Sequence, residues 1–356
     1  MRVLDRYIIR TVVGAVALVM LVLLTLLALF LFIGEQSDVG TGNYGSPQAL
    51  RFVLFNLPGQ LFQFLPIAAL LGALLGMGAL ARGSELTVMR ASGISIGRIG
   101  ASVGIAGAIL TLVAVLVGEF LAPPMAQMAR AGKAIDRYAS INFARSGGAW
   151  VRDGDLIMRA DRQSGDSAFG GILVFDLTNR NRLQAAGRAA SATERADGSW
   201  ELAEFAQSRF TDESVTAVRA PSRPLNTRVS AAFLGLAATN PQELSLRELG
   251  SAIDYLRSNG QDARQYRFAF WSMVARMISI PLAVLLALPF LFGSLRAAGN
   301  GARATFGLVL GLGYFILQRM VASGTIAFGL DPVLLAWIPT MVLALAVTIL
   351  IARVRG

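Results

Sequence analysis

The side chains that most enzymes use for covalent chemistry are scarce in this 356-residue chain. It contains no His and no Cys, and of its 32 basic residues only Lys133 is a lysine. Disulfides, Cys- or His-ligated metals and imidazole bases are thereby excluded. Gly93-Ile94-Ser95-Ile96-Gly97 matches the nucleophile-elbow pattern G-x-S-x-G. An elbow needs a preceding strand and a base, whereas this segment joins two apolar blocks, so a helix-end and loop glycine pair is the simpler reading. The phosphate-binding pattern G-x-x-x-x-G-K-[ST] fails at Lys133, because Ala134 follows it and Gln127 stands where the first glycine belongs. No cofactor is expected on this chain; any ATP and Mg would be used by a separate ATPase. Asp153, Asp155 and Asp161, with Arg152 and Arg159 nearby, read as solvated hairpin charge rather than a cation site.

The charges inside apolar stretches are more informative. Arg276 and Arg319 each interrupt such a stretch; Gln318 adjoins Arg319, and Arg264 and Arg267 open the stretch that holds Arg276. A charge in a membrane span costs about 2.5–3.5 kcal/mol on insertion scales, so it faces protein or a wet cavity. Guanidinium forks suit phosphates, which makes Arg276, Arg319, Arg267 and Gln318 candidates for binding an anionic substrate. The alternative is a structural ion pair, such as Arg276 with Glu119, or snorkelling to the interface. The residues alone leave both open.

The elements that carry these residues follow from the apolar pattern. Hydrophobic residues make up 54% of the chain and charged residues 15%, too apolar a balance for an ordinary soluble enzyme. A bilayer core needs roughly 20 apolar residues in helix. Thr11–Ile33, Phe52–Ala81, Ile99–Gly118, Phe268–Leu295, Ala304–Leu330 and Pro332–Ala352 meet that need, which predicts six transmembrane helices. The first is too long for a signal-peptide core, and no small-x-small site follows it. Arginines concentrate before span one (Arg2, Arg6, Arg10), between spans two and three (Arg82, Arg90, Arg98), between spans four and five (Arg296, Arg303) and at the end (Arg353, Arg355). The positive-inside rule then puts both termini in the cytoplasm and the polar middle region, about 123–267, across the membrane.

That middle region reads as β. Trp150–Arg152 and Leu156–Ala160 flank the hairpin signal Asp153-Gly154-Asp155; Gly171–Phe175 is a buried-strand run, and Ala196-Asp197-Gly198-Ser199 turns into Trp200–Phe205. Pro221, Pro224 and Pro241 mark edges or irregular stretches. Ser245 and Glu248 form a capping box for a helix ending near Asn259-Gly260. The expected fold is a helical membrane protein with six spans and an extracytoplasmic all-β, jellyroll-like domain inserted between helices 3 and 4. In residues, spans one to three occupy 1–124, with a cytoplasmic segment at 82–98. The β domain occupies 125–245, and a connecting helix with spans four to six occupies 246–356. Within 82–98, Ser84 is placed to cap a short helix, Glu85 suits its positive end and Gly93 to stop it. Leu86 and Met89, at i, i+3 spacing, form an apolar face that either a cytoplasmic partner grips or the lipid surface receives. Glycines four apart (Gly72–Gly76, Gly100–Gly104, Gly307–Gly311) permit close helix contact.

Several blocks resemble the LptF/LptG permeases of the lipopolysaccharide exporter, more closely its G-type branch. They are Leu4-Asp5-Arg6-Tyr7-Ile8, Ala69-Leu70-Leu71-Gly72-Ala73-Leu74-Leu75-Gly76, Ser84-Glu85-Leu86-Thr87-Val88-Met89-Arg90-Ala91-Ser92-Gly93, Gly118-Glu119 with Ala122-Pro123 and Gln127-Met128-Ala129, and Ser258-Asn259-Gly260-Gln261-Asp262-Ala263. The resemblance implies an inner-membrane subunit that extracts lipopolysaccharide from the outer leaflet and passes it to a periplasmic bridge. It implies a heterodimer with an LptF-type permease, two LptB-type cytoplasmic ATPases and an LptC-type bridge protein, and no nucleic acid. It also implies that Glu85, Leu86, Met89, Arg90 and Gly93 meet the ATPase, that lipid A enters between spans one and five of opposing subunits, and that Arg319 contacts phosphate. The sequence departs from the family at the outer end of span one, where Gly34, Glu35, Ser37 and Asp38 replace lysines; Arg276 and Arg319 are expected to take over part of that role. The rival reading is a permease of another lipid or lipoprotein release system. Such permeases place the soluble domain after the first span, and here it follows the third.

Overall fold

The computed structural model describes residues 3–138, 141–142, 149–163, 168–177, 182–195, 199–211, 213–225, 227, 229, 234, 240–258, 260–292, 300–328 and 331–355. By packing, the chain divides into two units. The first comprises Met1–Gln36, Val53–Ala126 and Arg264–Gly356; the second comprises Ser37–Phe52 and Gln127–Ala263.

The apolar blocks are helices. In chain order they are α1 (Val3–Glu35), α2 (Ser46–Arg82), the short α3 (Glu85–Ala91), α4 (Ile96–Leu116), a π-helical turn (Val117–Leu121) and α5 (Ala122–Tyr138). After the sheet come α6 (Leu246–Ser258), α7 (Arg264–Phe292), α8 (Asn300–Phe328) and α9 (Pro332–Arg355). Among the described residues, five stretches are long and apolar enough to cross a membrane: Val3–Glu35, Ser46–Arg82, Ile96–Lys133, Arg264–Phe290 and Pro332–Ala352. The expected fifth span lies in α8, a 29-residue helix with a shorter apolar core, Thr305–Val321. At 1.5 Å per residue α8 is about 43 Å long, more than a hydrocarbon core requires. Arg296, Asn259 and the turn residues Ala196–Gly198 lie outside the described residues.

The third span does not stop at Gly118 as expected. Its helix continues through the π turn to Tyr138. Pro123 and Pro124 lack the N–H groups that would bond back to residues 119 and 120, and the widened turn sits over those two positions. Close helix contact follows the glycine spacing at Gly72–Gly76 against α1 and at Gly307–Gly311 against α2, where an added Cβ would lie within 3.0 Å of a neighbour, but not at Gly100–Gly104. A Cβ on Gly72 would lie 2.5 Å from the Val16 Cα, joining α2 to α1, whereas Gly100 and Gly104 meet only ordinary contacts. The tight α4–α7 crossing is at Gly107 instead, where a Cβ would lie 2.8 Å from the Pro281 Cα. The Thr340 hydroxyl on α9 donates to the Ala275 carbonyl on α7 at 3.1 Å.

In the second unit seven strands form one antiparallel sheet: β1 (Ile141–Asn142), β2 (Ala149–Asp153), β3 (Leu156–Gln163), β4 (Ala168–Leu177), β5 (Leu183–Glu194), β6 (Trp200–Phe210) and β7 (Val215–Leu225). From β3 to β7 neighbours in space are neighbours in sequence, and β1 and β2 both pair with β3. The all-β insert is therefore present, its described strands connected as a meander. Asp153–Asp155 turns β2 into β3, with Gly154 at φ +60°. One face is filled by the chain's own side chains: Met158, Phe169, Ile172, Trp200, Leu202 and Phe205 are all essentially inaccessible. The Trp200 indole N–H donates to the Val229 carbonyl at 2.7 Å. β5 and β7 were not foreseen. β5 is rich in alanine, a helix former by propensity, yet its small residues make room for the aromatics: a Cβ on Gly187 would lie 2.7 Å from the Phe205 ring. β7 carries Pro221 and Pro224 and pairs only with β6 among the described strands, the edge position that proline tolerates. The capping box closes as expected, with Ser245 N–H to Glu248 Oε2 at 2.8 Å and Glu248 N–H to Ser245 Oγ at 3.2 Å.

Removing the indole by Trp200→Ala should lower the stability of the sheet unit by about 3–5 kcal/mol, read as a drop in the thermal unfolding midpoint of the purified chain. A smaller, pH-dependent effect is expected at Glu201. Its carboxyl is held below the ordinary value by the Ser222 hydroxyl and then by Arg195. That stabilisation is complete above the ordinary carboxylate range and is lost as pH falls through the lowered value. Glu201→Gln should therefore flatten the acid-side loss of protease resistance across β6–β7.

Candidate functional site

Three constellations of polar side chains stand out, two in the helical unit and one in the sheet unit. The first is a seam inside the bundle. Arg276 on α7 lays its guanidinium over the Phe62 ring of α2, 5.3 Å from the ring centre, and its Nε is sealed from solvent without a hydrogen-bond partner among the described residues. The other edge of Phe62 presses on the π turn, because a Cβ on Gly118 would come within 2.8 Å of it. Tyr314 on α8 reaches the same place. Its hydroxyl accepts from Gln318 Nε2 at 2.9 Å and stands near Ser279 on α7 and Thr340 on α9, beside Arg276. Ser279 and Thr340 are themselves fixed by donating to the adjacent carbonyls of Arg276 (2.7 Å) and Ala275 (3.1 Å). The Thr340 bond thus joins α9 to α7, and Tyr314 of α8 stands beside that junction at a similar depth. Counted at 1.5 Å per residue, Arg276 is about 18 Å from the start of α7, Tyr314 about 21 Å from the end of α8 and Thr340 about 12 Å from the start of α9.

The four residues expected to bind an anion are therefore not equivalent. Arg276 and Gln318 join the interior seam through Tyr314. Arg319 stands on the exposed side of α8, about 140° around the helix from Tyr314, and Arg267 is half-buried in the first turn of α7. Phe62, Ser279, Tyr314 and Thr340 were missed by sequence reasoning. A hydroxyl at helical spacing in an apolar stretch gives no sign of the partner it meets across the bundle.

The second constellation is α3 and its supports. Leu86 and Met89, expected on a partner surface, are turned inward and are buried by the chain's own helices (4% and 8% exposed). An i, i+3 apolar pair on a seven-residue helix covers the bundle beneath it before any second chain arrives. Glu85 is half-buried and stands near the Tyr7 hydroxyl on α1. Thr87, Val88, Arg90 and Ala91 form the exposed side, with Gly93 exposed beyond the helix. Ser84 occupies the N-cap position in a left-handed conformation (φ 59°) without a side-chain cap bond. Gly93, at φ +85°, terminates the helix, with the Ile94 N–H returning to the Met89 carbonyl. Ser95 then caps α4 by accepting from the Arg98 N–H. The elbow-like pentapeptide is thus a helix stop followed by a helix start.

The third constellation, in the sheet unit, fixes the α1–α2 connector. Asp38 receives Lys133 at 2.9 Å and Arg137 at 2.7 Å, both from α5. Lys133 also stands over the Phe52 and Tyr44 rings, and Arg51 pairs with Asp136 at 2.6 Å. The one lysine is thereby held by a carboxylate and two rings. Among the described residues, no group of His, Cys, Asp and Glu is arranged to hold a metal ion.

Comparison with known proteins places these features in context. Residues 6–353 match the family model described as lipopolysaccharide export system permease LptF/LptG. The lipopolysaccharide export system permease protein LptG of Escherichia coli K12 is 32% identical over 340 residues, 95% of this chain and 94% of that protein. The protein of the same name from Haemophilus influenzae Rd is 28% identical over 353 residues, 99% of each chain.

Tyr314→Phe removes the hydroxyl that accepts from Gln318 beside Ser279 and Thr340 while keeping the ring. It should cost about 0.6–1.7 kcal/mol, the range for a hydrogen bond between membrane helices, read as a lower thermal midpoint in detergent.

Proposed function

The chain belongs to the LptF/LptG family of lipopolysaccharide export permeases, and from that premise we propose that it is the G-type transmembrane subunit of an ATP-driven lipopolysaccharide exporter in a bacterial inner membrane. The observation that carries this reading is the family match across nearly the whole chain, joined to an architecture of apolar helices with an all-β insert after the third span. The chain is a transporter subunit and not an enzyme; ATP and Mg are used by separate LptB-type ATPases. An LptF-type permease completes the heterodimer, and an LptC-type protein continues the path. Both termini lie in the cytoplasm and the sheet in the periplasm, an orientation supported by the arginines of the short loops.

The physics of the cargo explains the design. Each CH₂ exposed to water costs about 0.8 kcal/mol, so a multi-chain lipid cannot be drawn through open periplasm. It must be taken sideways from the membrane and handed to an apolar groove. In this chain the inward face of the sheet is already filled around Trp200 and Phe169, which favours the partner's β domain as that groove. Arg319, exposed on α8, takes a lipid A phosphate at the lateral opening with Arg267 in support, while Arg276 and Gln318 hold α8 from inside. The exposed side of α3, centred on Val88 and Arg90, receives the ATPase; Leu86 and Met89 anchor that helix, and Glu85 and Gly93 complete the contact.

Purified from cells with its companions, the chain should carry an ATPase, and mass spectrometry of the complex should find bound lipopolysaccharide. A preparation that transports lipid without either would overturn the reading. Arg319→Ala should lower lipopolysaccharide-stimulated ATPase activity about tenfold, the value of one charge-assisted hydrogen bond. Val88→Asp should release the ATPase with the thermal midpoint unchanged, and Leu86→Asp should lower that midpoint.

A further inference from the structure

The opening segment Leu4-Asp5-Arg6-Tyr7-Ile8 has no role in the lipid path or in the ATPase contact, yet it makes the most specific contacts of α1. Asp5 accepts from the Ser102 hydroxyl on α4 at 3.0 Å and pairs with Arg98 at 3.6 Å. Ser102 is buried, and Arg98 lies in the first turn of α4, five residues beyond the Gly93 that ends α3. Tyr7 stands near Glu85, the first residue of α3. Ile8 is completely buried between them. The first two turns of α1 are thus bound to the base of α4, and Tyr7 stands beside the start of α3 that precedes it.

The rest of α1 is packed unevenly. Its buried residues are Ile8, Ile9, Val12, Val16 and Met20, and none follows. Gly72 and Gly76 of α2 let α1 approach closely, but only at Thr11, Ala15 and Val16. Beyond Met20, Leu21, Val22, Leu26, Leu29, Phe30 and Ile33 are exposed. A continuous helix fastened over its first half and bare over its second is a lever. Taking the tightest glycine contact, Gly72 against Val16, as fulcrum, the arm to Asp5 is about 17 Å and the arm to Ile33 about 26 Å. A displacement at the short arm is magnified about one-and-a-half-fold at the far end.

We propose that Asp5 and Tyr7 are the positioning residues that transmit movement of α3 and the base of α4 into α1, so that its bare outer half swings when the ATPase acts. The inference rests on the proposed function, since it takes α3 as the ATPase contact and the outer half of α1 as part of the lateral opening. Asp5 holds the helix by a charge and a hydrogen bond together, and Tyr7, next to the buried Ile8, lies beside Glu85. Neither touches lipid or nucleotide.

The test uses the whole complex in lipid nanodiscs. The chain has no native cysteine, so spin labels go on Phe30→Cys, on the bare half of α1, and Leu112→Cys, exposed on α4; companion-chain background is measured without these two. The distance between them is expected to change between the nucleotide-free and ATP-trapped complexes. In the double variant Asp5→Asn, Tyr7→Phe that change should disappear, with basal ATP hydrolysis and complex assembly kept and lipopolysaccharide-stimulated release down by at least about threefold. Asp5→Glu should restore most of the change, which distinguishes transmission from a general loss of packing. The proposal is overturned if the double variant keeps the wild-type distance change, or if the wild type shows none. Failure of the wild-type complex to bind or release lipopolysaccharide would instead overturn the function, whatever the distances show.

Discussion

A polar group inside an apolar helical bundle must find its solvent in the protein. Everything distinctive about the helical unit answers that constraint. Arg276 meets it with the face of Phe62 and a nearby phenol; Ser279 and Thr340 meet it with carbonyls of α7; Gln318 meets it with Tyr314. Two of these solutions cross between helices, Arg276 over Phe62 of α2 and Thr340 to α7, while Ser279 and Gln318 are satisfied within their own helices. Aqueous helices are joined chiefly by apolar burial. Here the lipid is as apolar as the side chains, and close contact and hydrogen bonds carry the specificity instead. That is why Gly107 against Pro281 and Gly72 against Val16 matter as much as the polar seam.

The same constraint decides what could be read from the sequence. Long apolar blocks announce spanning helices because backbone groups in lipid must bond within the segment, and the described residues of the six expected blocks are helical. Local signals also transferred well: the Ser245–Glu248 box, the Gly93 stop and the Asp153–Asp155 hairpin each involve residues within a few positions of one another. What could not be read was the orientation of short apolar pairs and every polar contact across the chain. Leu86 and Met89 carry the same spacing whether they face a partner or their own bundle. Asp5 finds Ser102 across 97 positions, and Arg51 finds Asp136 across 85.

The sheet shows a different limit. β5 reads by composition as a helix, since Leu183–Glu194 contains five alanines and one glycine. It is a strand because Phe169, Trp200 and Phe205 need small neighbours on the filled face, and Gly187 is the position where the Phe205 ring leaves no room for a Cβ. Intrinsic propensity amounts to a few tenths of a kcal/mol per residue, whereas burying an aromatic ring contributes about 3 kcal/mol. Ring burial outweighs propensity, so the tertiary packing of the aromatics sets the local conformation of β5.

These two units assign opposite uses to exposed and buried apolar surface. In the sheet unit the apolar face is consumed internally around Trp200, so little is left to exchange with a moving lipid. In the helical unit apolar surface is left bare where movement is useful: on α1 beyond Met20, and on the side of α8 that bears Leu308, Val309, Leu312, Ile316 and Met320. Both helices are held at other points, α1 by Asp5 and its glycine contacts and α8 by Gly307 and Gly311 against α2. A helix attached at a few places can move as a rigid body without breaking its own hydrogen bonds, because all of those bonds run along its axis. Lateral uptake of a lipid requires such parts: walls that stay apolar while they move, joined to the rest of the bundle by contacts few enough to yield and specific enough to return.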